Sequence, residues 1–266
     1  MIILFSCVLL GFLVIRFCVT LYNLITYPVL PNAANYTFNK SQNLLLSILI
    51  PARNEEKNIE KILQNLVELS DLEAINFEII VLNDHSTDNT AQIITQFTAQ
   101  NSKIKLVNGS PLPEGWLGKN WACHQLAEVG KGNFYLFLDA DVQLSNGAIS
   151  NSIARMHTYK LDLLSLFPQQ QMHSFGEQQI VPLMHYLLLN LLPLRLVRTS
   201  TLPSLSAANG QFMLFNASIY RQYLFHKKVK NNVLDDVNIM RFAKESKLKT
   251  EVLLGNNQVF CRMYTL

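Results

Sequence analysis

Apolar residues follow three different rhythms along this chain. From Ile2 to Leu30 they are almost continuous, and Arg16 is the one charged residue before Lys40. A helix that crosses a bilayer needs about 20 such residues. The run therefore predicts a membrane anchor over residues 1–30, with a helix buried in a soluble core as the competing reading. The chain lacks the basic n-region and small-x-small cleavage site of a secretory signal peptide. Arg16 is costly in lipid, so it is expected to snorkel, pair with another segment or mark a tilted or re-entrant helix. Pro28 and Pro31 close the run, and residues 31–43 read as a polar linker. The next positive charges, Lys40, Arg53 and Lys57, lie downstream. The positive-inside tendency then puts the main domain in the cytoplasm, on a single N-terminal anchor in the cell (inner) membrane.

The second rhythm begins at Leu44, where short apolar runs alternate with segments of helical period. That alternation is the pattern of a mostly parallel sheet wrapped by helices, an α/β fold. The first strand is predicted over Leu44–Ile50, stopped by Pro51, with Asn54 capping a helix that carries Ile59, Ile62, Leu63 and Leu66 on one face. Phe77–Leu82 and Ile104–Val107 read as strands, separated by a helix bearing Ile93, Ile94 and Phe97. A Gly- and Pro-rich loop, 109–120, leads into a helix over 121–129. Phe134–Leu138 is apolar throughout and reads as a strand buried on both faces. Ile149, Ile153 and Met156 mark another helix, and Leu161–Phe167 another strand. After Pro168 the third, looser rhythm sets in. Ile180–Val197 is apolar but broken by Pro182 and Pro193, and reads equally as a core helix or one lying in a membrane interface. Phe212–Phe215 reads as a strand, a helix opens at Leu234–Val237, and Val259–Met263 is strand-like.

Composition adds that 49% of residues are hydrophobic and only 15% charged, apolar for a soluble enzyme. A net charge of +3 without an aromatic-studded basic run argues against nucleic acid. Cys7, Cys18, Cys123 and Cys261 have no CxxC spacing and read as free, buried thiols, not as a disulfide frame or zinc site.

The chemistry gathers at strand ends. In open α/β sheets, ligands bind beyond the carboxyl ends of the strands. Asp139 and Asp141 follow the apolar run, and alternation in an extended chain would point both carboxylates the same way. Such hard oxygen ligands suit Mg²⁺ or Mn²⁺ holding a diphosphate; two unrelated acids on a loop is the plainer reading. Asp84, at the end of the second predicted strand, could accept from the N–H of a uracil ring, while Asp88 could do the same or cap its helix. Arg53 could meet a phosphate or order a carboxylate. Lys119 is a phosphate or base contact, or a solvated surface lysine. Asp235 and Asp236 open a helix, where acids are ordinary stabilisation, and one of them could instead serve as a general base. His85, His124 and His173 have no ligand spacing. No GxGxxG, GxxxxGK[ST] or GxSxG motif is present.

Pro51-Ala-Arg-Asn-Glu55, Val81-Leu-Asn-Asp-His-Ser-Thr-Asp88, Asp139-Ala-Asp141 and Leu234-Asp-Asp-Val237 resemble, in order and spacing, the motifs of family 2 glycosyltransferases. These are inverting enzymes on the GT-A fold, the Rossmann-like nucleotide-diphospho-sugar transferase architecture. Gly115–Cys123 and Ala208-Asn-Gly-Gln211 look like the branch acting on carotenoid and hopanoid-type lipids. The resemblance covers Leu44 to about Met263. It implies a nucleotide-binding half over 44–145 and an acceptor-side half over 146–266. It also implies a UDP-sugar donor, a lipid acceptor, a nucleotide pocket shaped by Pro51, Arg53, Glu55, Asp84, Lys119 and Asp139, metal and diphosphate acids at Asp139 and Asp141, and Asp236 as catalytic base. Asp235 stands where the family usually has Glu. Relatives usually continue with an acceptor-side segment and further membrane helices, so the chain is expected to lack that part. A metal-dependent nucleotidyltransferase and a nucleotide-binding membrane protein without turnover remain the other readings.

Overall fold

The structure, a computed structural model, describes residues 1–32, 44–73 and 75–262. The predicted linker therefore lies almost wholly outside the described residues, as does Met263. In chain order the elements are α1 (Ile2–Thr26), β1 (Leu45–Ala52), α2 (Ile59–Glu68), β2 (Asn76–Asn83), α3 (Thr90–Gln100), β3 (Ile104–Asn108) and α4 (Gly118–Val129). Then come β4 (Phe134–Leu138), β5 (Val142–Leu144), α5 (Ala148–Tyr159), β6 (Leu163–Phe167) and β7 (Gln169–Gln170), followed by α6 (Phe175–Ile180), α7 (Pro182–Leu191) and α8 (Arg195–Thr199). The chain continues through β8 (Phe212–Asn216), α9 (Ala217–Tyr223), α10 (Phe225–Lys228), α11 (Asp235–Glu245), β9 (Thr250–Leu254) and β10 (Val259–Cys261).

Seven strands form one sheet in the order β3-β2-β1-β4-β8-β6-β9. It is parallel except for β8, which runs antiparallel to both β4 and β6. The alternation within β1 explains the layering. Ile48 and Ile50 face a core built with Ile62, Leu63 and Leu66 of α2 and Ile149 and Ile153 of α5. Leu49 faces the opposite core, with Leu126 of α4, Tyr220 of α9 and Ile239 and Met240 of α11. A sheet covered on both faces needs strands without a polar side, and that is the composition of β1, β2 and β4. A smaller sheet, β5-β10-β7, flanks the carboxyl end of β4.

Several expectations are corrected. Pro51 does not stop β1, because Pro51 and Ala52 still pair with Leu82 and Asn83. The Ala52 carbonyl accepts from Asp84 N–H, so Pro51 turns its missing donor towards the β4 side, where pairing has already ended at Leu49. Asn54 is not a helix cap. It adopts a left-handed φ of 56°, and α2 starts at Ile59, so Glu55 and Glu56 precede the helix. Strands β5, β7 and β9 and helices α6, α9 and α10 were not anticipated from periodicity, being short or lying in the loosely patterned part.

α1 ends at Thr26, short of Leu30. Tyr27 takes φ 42°, and the chain then runs beside the edge strand: Leu30 N–H donates to Leu254 O and Leu254 N–H to Pro28 O. Two polar side chains fasten the end of α1 to α7. Asn23 donates to the carbonyls of Leu189 and Leu192 and accepts from Leu194 N–H, and Thr20 donates to Asn190 Oδ1. The remainder of α1 presents large apolar residues such as Phe5, Leu10 and Phe17 to the surroundings. It is long and apolar enough to cross a membrane. Cys7 and Cys18 lie exposed on it, so only Cys123 and Cys261 are the buried thiols expected; all four are free. Arg16 lies over the Phe12 ring, 5.3 Å from its centroid. The apolar stretch 180–197 is two helices, α7 and α8, separated by Pro193.

Candidate active site

The loops after β1 and β2 are laced together, and that lacing builds one wall of a cleft. Asn54 Oδ1 accepts from Thr87 N–H, Glu56 N–H donates to Asp88 Oδ2, and Glu55 N–H donates to Thr90 Oγ1. Asp88 also accepts from Thr90 N–H, so its carboxylate organises the loops and the start of α3, the plainer of its two expected roles. Asp84, only 7% exposed, sits at the rim, its N–H donating to Ala52 O and Arg53 NH1 lying 3.6 Å from its Oδ2. Gly118, at the start of α4, approaches this pair closely. A Cβ there would lie 3.4 Å from Asp84 Oδ2 and 3.8 Å from Arg53 NH1.

The cleft holds about 420 Å³ and is lined by Pro51, Arg53, Glu55, Asp84, Lys119, Asp139 and Asp141, with small residues between them. Apart from Asp88, every residue singled out for nucleotide or metal contact is therefore brought to one place. The reason differs from the one expected for the two acids. β4 ends at Leu138, and Asp139–Val142 is a turn closed by Val142 N–H to Asp139 O. Both carboxylates reach the cleft from that turn, not from an extended strand.

Each acid has its own partners. Lys119 Nζ lies 2.7 Å from Asp139 Oδ2. Enclosure raises the Asp139 pKa, Lys119 opposes the rise, and the neighbouring Asp141 and Asp236 carboxylates add to it. Burial works against the Lys119 ammonium, but Asp139 outweighs it and holds the lysine firmly protonated. Asp141 is held by neutral donors: Gln211 Nε2 at 3.2 and 3.4 Å and the Cys261 thiol at 3.2 Å. Glu55 is raised by burial, lowered in part by Asn58 Nδ2, and raised further by the Asp141 and Asp139 charges.

Asp236 stands beside the cleft, not in its lining. Its Oδ2 accepts from Gly210 N–H at 3.0 Å and its Oδ1 from Val237 N–H at 2.7 Å. Gly210 connects it to the acids. A Cβ on Gly210 would lie 3.6 Å from Lys119 Nζ and 3.7 Å from Asp236 Cβ, and the next residue, Gln211, accepts from Asp139 N–H. Asp235 is raised by burial and by Asp236, with Lys119 opposing.

Gln211 and Cys261 were not among the expected site residues. Gln211 belongs to the Asn-Gly-Gln motif noted in the sequence, whereas Cys261 carries no local signal and arrives only through β10. His226 lies outside the cleft lining, packed in the core against Phe137 and Tyr220. It is buried, shares a 2.6 Å hydrogen bond with Tyr220 Oη, and burial pushes its pKa down to about 3. His124 is buried against Trp116 and Trp121, consistent with a structural role.

Among the described residues, no three His, Cys, Asp or Glu side chains converge as a metal cluster. Asp139 and Asp141 nevertheless fit a hard divalent ion, because such ions are commonly held by one or two carboxylates and completed by phosphate oxygens and water. The Lys119 ammonium on Asp139 shows that this carboxylate already receives a cation.

A mostly parallel sheet flanked by helices, with an acid at the end of β2 and two more after β4, has the GT-A architecture. Solved structures agree on the fold: Staphylococcus aureus TarS 1–349 in complex with UDP (TM-score 0.57, 17% identity, 83% of this chain and 61% of that one). A second is the Pyrobaculum calidifontis mannosyltransferase PcManGT in complex with GDP-Man and Mn²⁺ (TM-score 0.63, 14% identity, 92% and 66%). The sequence pattern of Glycosyl transferase family 2 matches residues 47–224, and the chain belongs to that family. The match stops before Asp235 and Asp236. A 4,4'-diaponeurosporenoate glycosyltransferase of Staphylococcus haemolyticus is 29% identical over 229 residues, 82% of this chain. One from Staphylococcus aureus is 37% identical over 98 residues, covering 36% of this chain and 24% of its own length. This chain spans 56% of the length of the S. haemolyticus relative.

Proposed function

We propose that the chain is a membrane-associated, inverting hexosyltransferase that moves a sugar from a UDP-sugar to a carotenoid- or hopanoid-like lipid. The observation that carries this reading is the gathering of Asp84, Arg53, Lys119, Asp139 and Asp141 in one cleft at the carboxyl ends of β1, β2 and β4. Membership of family 2 sets aside the nucleotidyltransferase alternative. The names of the staphylococcal relatives support the lipid class of the acceptor. The exposed apolar surface of α1 supports an anchor in the cell membrane, and the downstream charges support a cytoplasmic catalytic domain.

In this reading Asp84 accepts from the uracil N–H, and its enclosure beside Arg53 and Gly118 fixes the ring. Arg53 and Lys119 face the diphosphate, Lys119 exchanging its Asp139 contact for phosphate oxygens. Glu55 and Pro51 shape the floor of the pocket. Asp139 and Asp141 would hold Mg²⁺ or Mn²⁺, which when bound supplies positive charge to the departing diphosphate. Asp236, oriented by two backbone N–H groups, takes the proton of an acceptor hydroxyl as it attacks the anomeric carbon. An acceptor carboxylate needs little such help. A single in-line displacement inverts the anomeric configuration.

The test is UDP release by detergent-solubilised protein, with UDP-sugars, Mn²⁺ or Mg²⁺ and a membrane lipid extract. Metal-dependent release that requires the lipid and yields an inverted glycoside is the expected result. A retained configuration would sink the mechanism. UDP binding without turnover would mean that this chain handles nucleotide but does not transfer the sugar.

A further inference from the structure

A second cavity, distinct from the cleft, opens at the foot of the membrane helix. It holds about 440 Å³, and its wall begins with Thr26 and continues through Asn32, the residues by which the chain leaves α1 and joins the edge of the sheet. The opposite wall carries three guanidinium groups, Arg155, Arg195 and Arg198, against a single carboxylate, Glu251. We propose that this cavity binds the phosphate of an acidic phospholipid headgroup.

Charge and geometry carry the argument. Glu251 accepts from Arg155 Nε on Oε2 at 2.7 Å and from Arg155 NH2 on Oε1 at 2.8 Å, and Arg198 Nε lies 2.7 Å from that same Oε1. Both guanidiniums are also stacked on Tyr159, 4.0 and 4.1 Å from the ring centroid. One carboxylate therefore answers two rigidly held cations, and Arg195, exposed on the same short helix as Arg198, adds a third. Tying α5 to β9 requires only the Arg155–Glu251 fork, so the other two positive charges are surplus to that task. Planar guanidiniums held in place suit a phosphate, whose oxygens they meet in pairs.

Position selects the source of the phosphate. α1 is exposed and apolar down to its last turns. α7, fastened to it through Asn23 and Thr20, exposes Leu183, Tyr186, Leu187 and Leu191. A bilayer around α1 would thus end where Thr26 ends, and a second apolar surface lies at that level. Arg195 and Arg198 follow α7 directly, which puts the cavity at headgroup depth, where basic side chains attract anionic lipid. This inference rests on α1 lying in a bilayer and is independent of the catalytic reading.

The experiment is native mass spectrometry of the full chain in mild detergent, incubated with equimolar phosphatidylglycerol and phosphatidylcholine. Wild type should retain one phosphatidylglycerol in clear preference to phosphatidylcholine. Arg195→Gln, an exposed position, should reduce that preference about fivefold. Arg198→Lys keeps the charge but loses the planar fork, and should weaken it less. Folding of each variant is checked by its circular dichroism and thermal transition. Equal retention of both lipids, or a preference untouched by either substitution, overturns the proposal. Displacement of the lipid by millimolar glycerol phosphate also overturns it, by assigning the cavity to a soluble phosphate. Retention of neither lipid likewise overturns the proposal.

Discussion

Two ion-paired clusters, one at the centre of the sheet and one at its β9 edge, use the same charges in opposite ways. In the cleft Lys119 meets Asp139 one to one, with 44% and 24% of the two side chains exposed. At the edge Glu251 is 4% exposed; Arg155 forks onto both its oxygens, and Arg198 lies against one of them. The first pair is only partly enclosed and solvent reaches it, so its Coulomb energy is modest and its partners can be exchanged for a ligand's. The second has removed its carboxylate from water and depends on its partners to offset that desolvation. The difference lies in access, not in residue type. It separates a pair whose partners can be exchanged from a fork that holds α5 to β9.

The largest expected effect belongs to the open site. Asp236→Asn keeps an oxygen that can accept from Gly210 N–H but removes the base. Turnover in the UDP-release assay should fall by a factor of about 10²–10⁴, while the thermal unfolding midpoint stays close to wild type. A variant that unfolds early instead would place Asp236 among the structural acids. The edge cluster should respond the other way. Glu251→Ala leaves two half-buried guanidiniums without their carboxylate, a loss of about 3–5 kcal/mol. Denaturant unfolding should show it, whereas turnover per folded molecule should be unchanged. An unaltered unfolding midpoint would break the comparison.

The same contrast explains what could be read from the amino acids. β1, β2, β4 and the helices between them follow from local pattern, because a strand buried on both faces must be apolar and its neighbouring helix must carry one apolar stripe. The acids of the cleft were legible because parallel topology delivers strand ends to one rim, so a residue's place in a run predicts its place in space. Asp139 and Asp141 both line the cleft, and a turn, not strand alternation, puts them there. Gln211 and Cys261 reach Asp141 from elements 70 and 120 residues away in sequence. β10 is only three residues long, and nothing local marks its partner. Glu251 likewise sits in a short strand, and its arginines come from two separate helices. Non-local pairing of short elements leaves no periodicity to detect.

Lys119→Gln gives the smallest effect on stability and the sharpest test of exchangeability. An exposed pair is worth less than about 1 kcal/mol, so the unfolding midpoint should barely move, in contrast to Glu251→Ala. Binding should change more. Lys119 lies in the cleft with its ammonium held protonated by Asp139, ready to pass to a diphosphate. Its loss should weaken UDP affinity about tenfold, the scale of one charge-assisted hydrogen bond. The freed Asp139 should at the same time lower the Mn²⁺ concentration needed for half-maximal UDP binding. Isothermal titration at fixed and varied Mn²⁺ separates the two effects. Weaker UDP binding with an unchanged metal requirement would mean that Lys119 serves the phosphate alone. A drop in stability comparable to that of Glu251→Ala would mean that the pair is a joint after all, and that openness to solvent does not distinguish the two clusters.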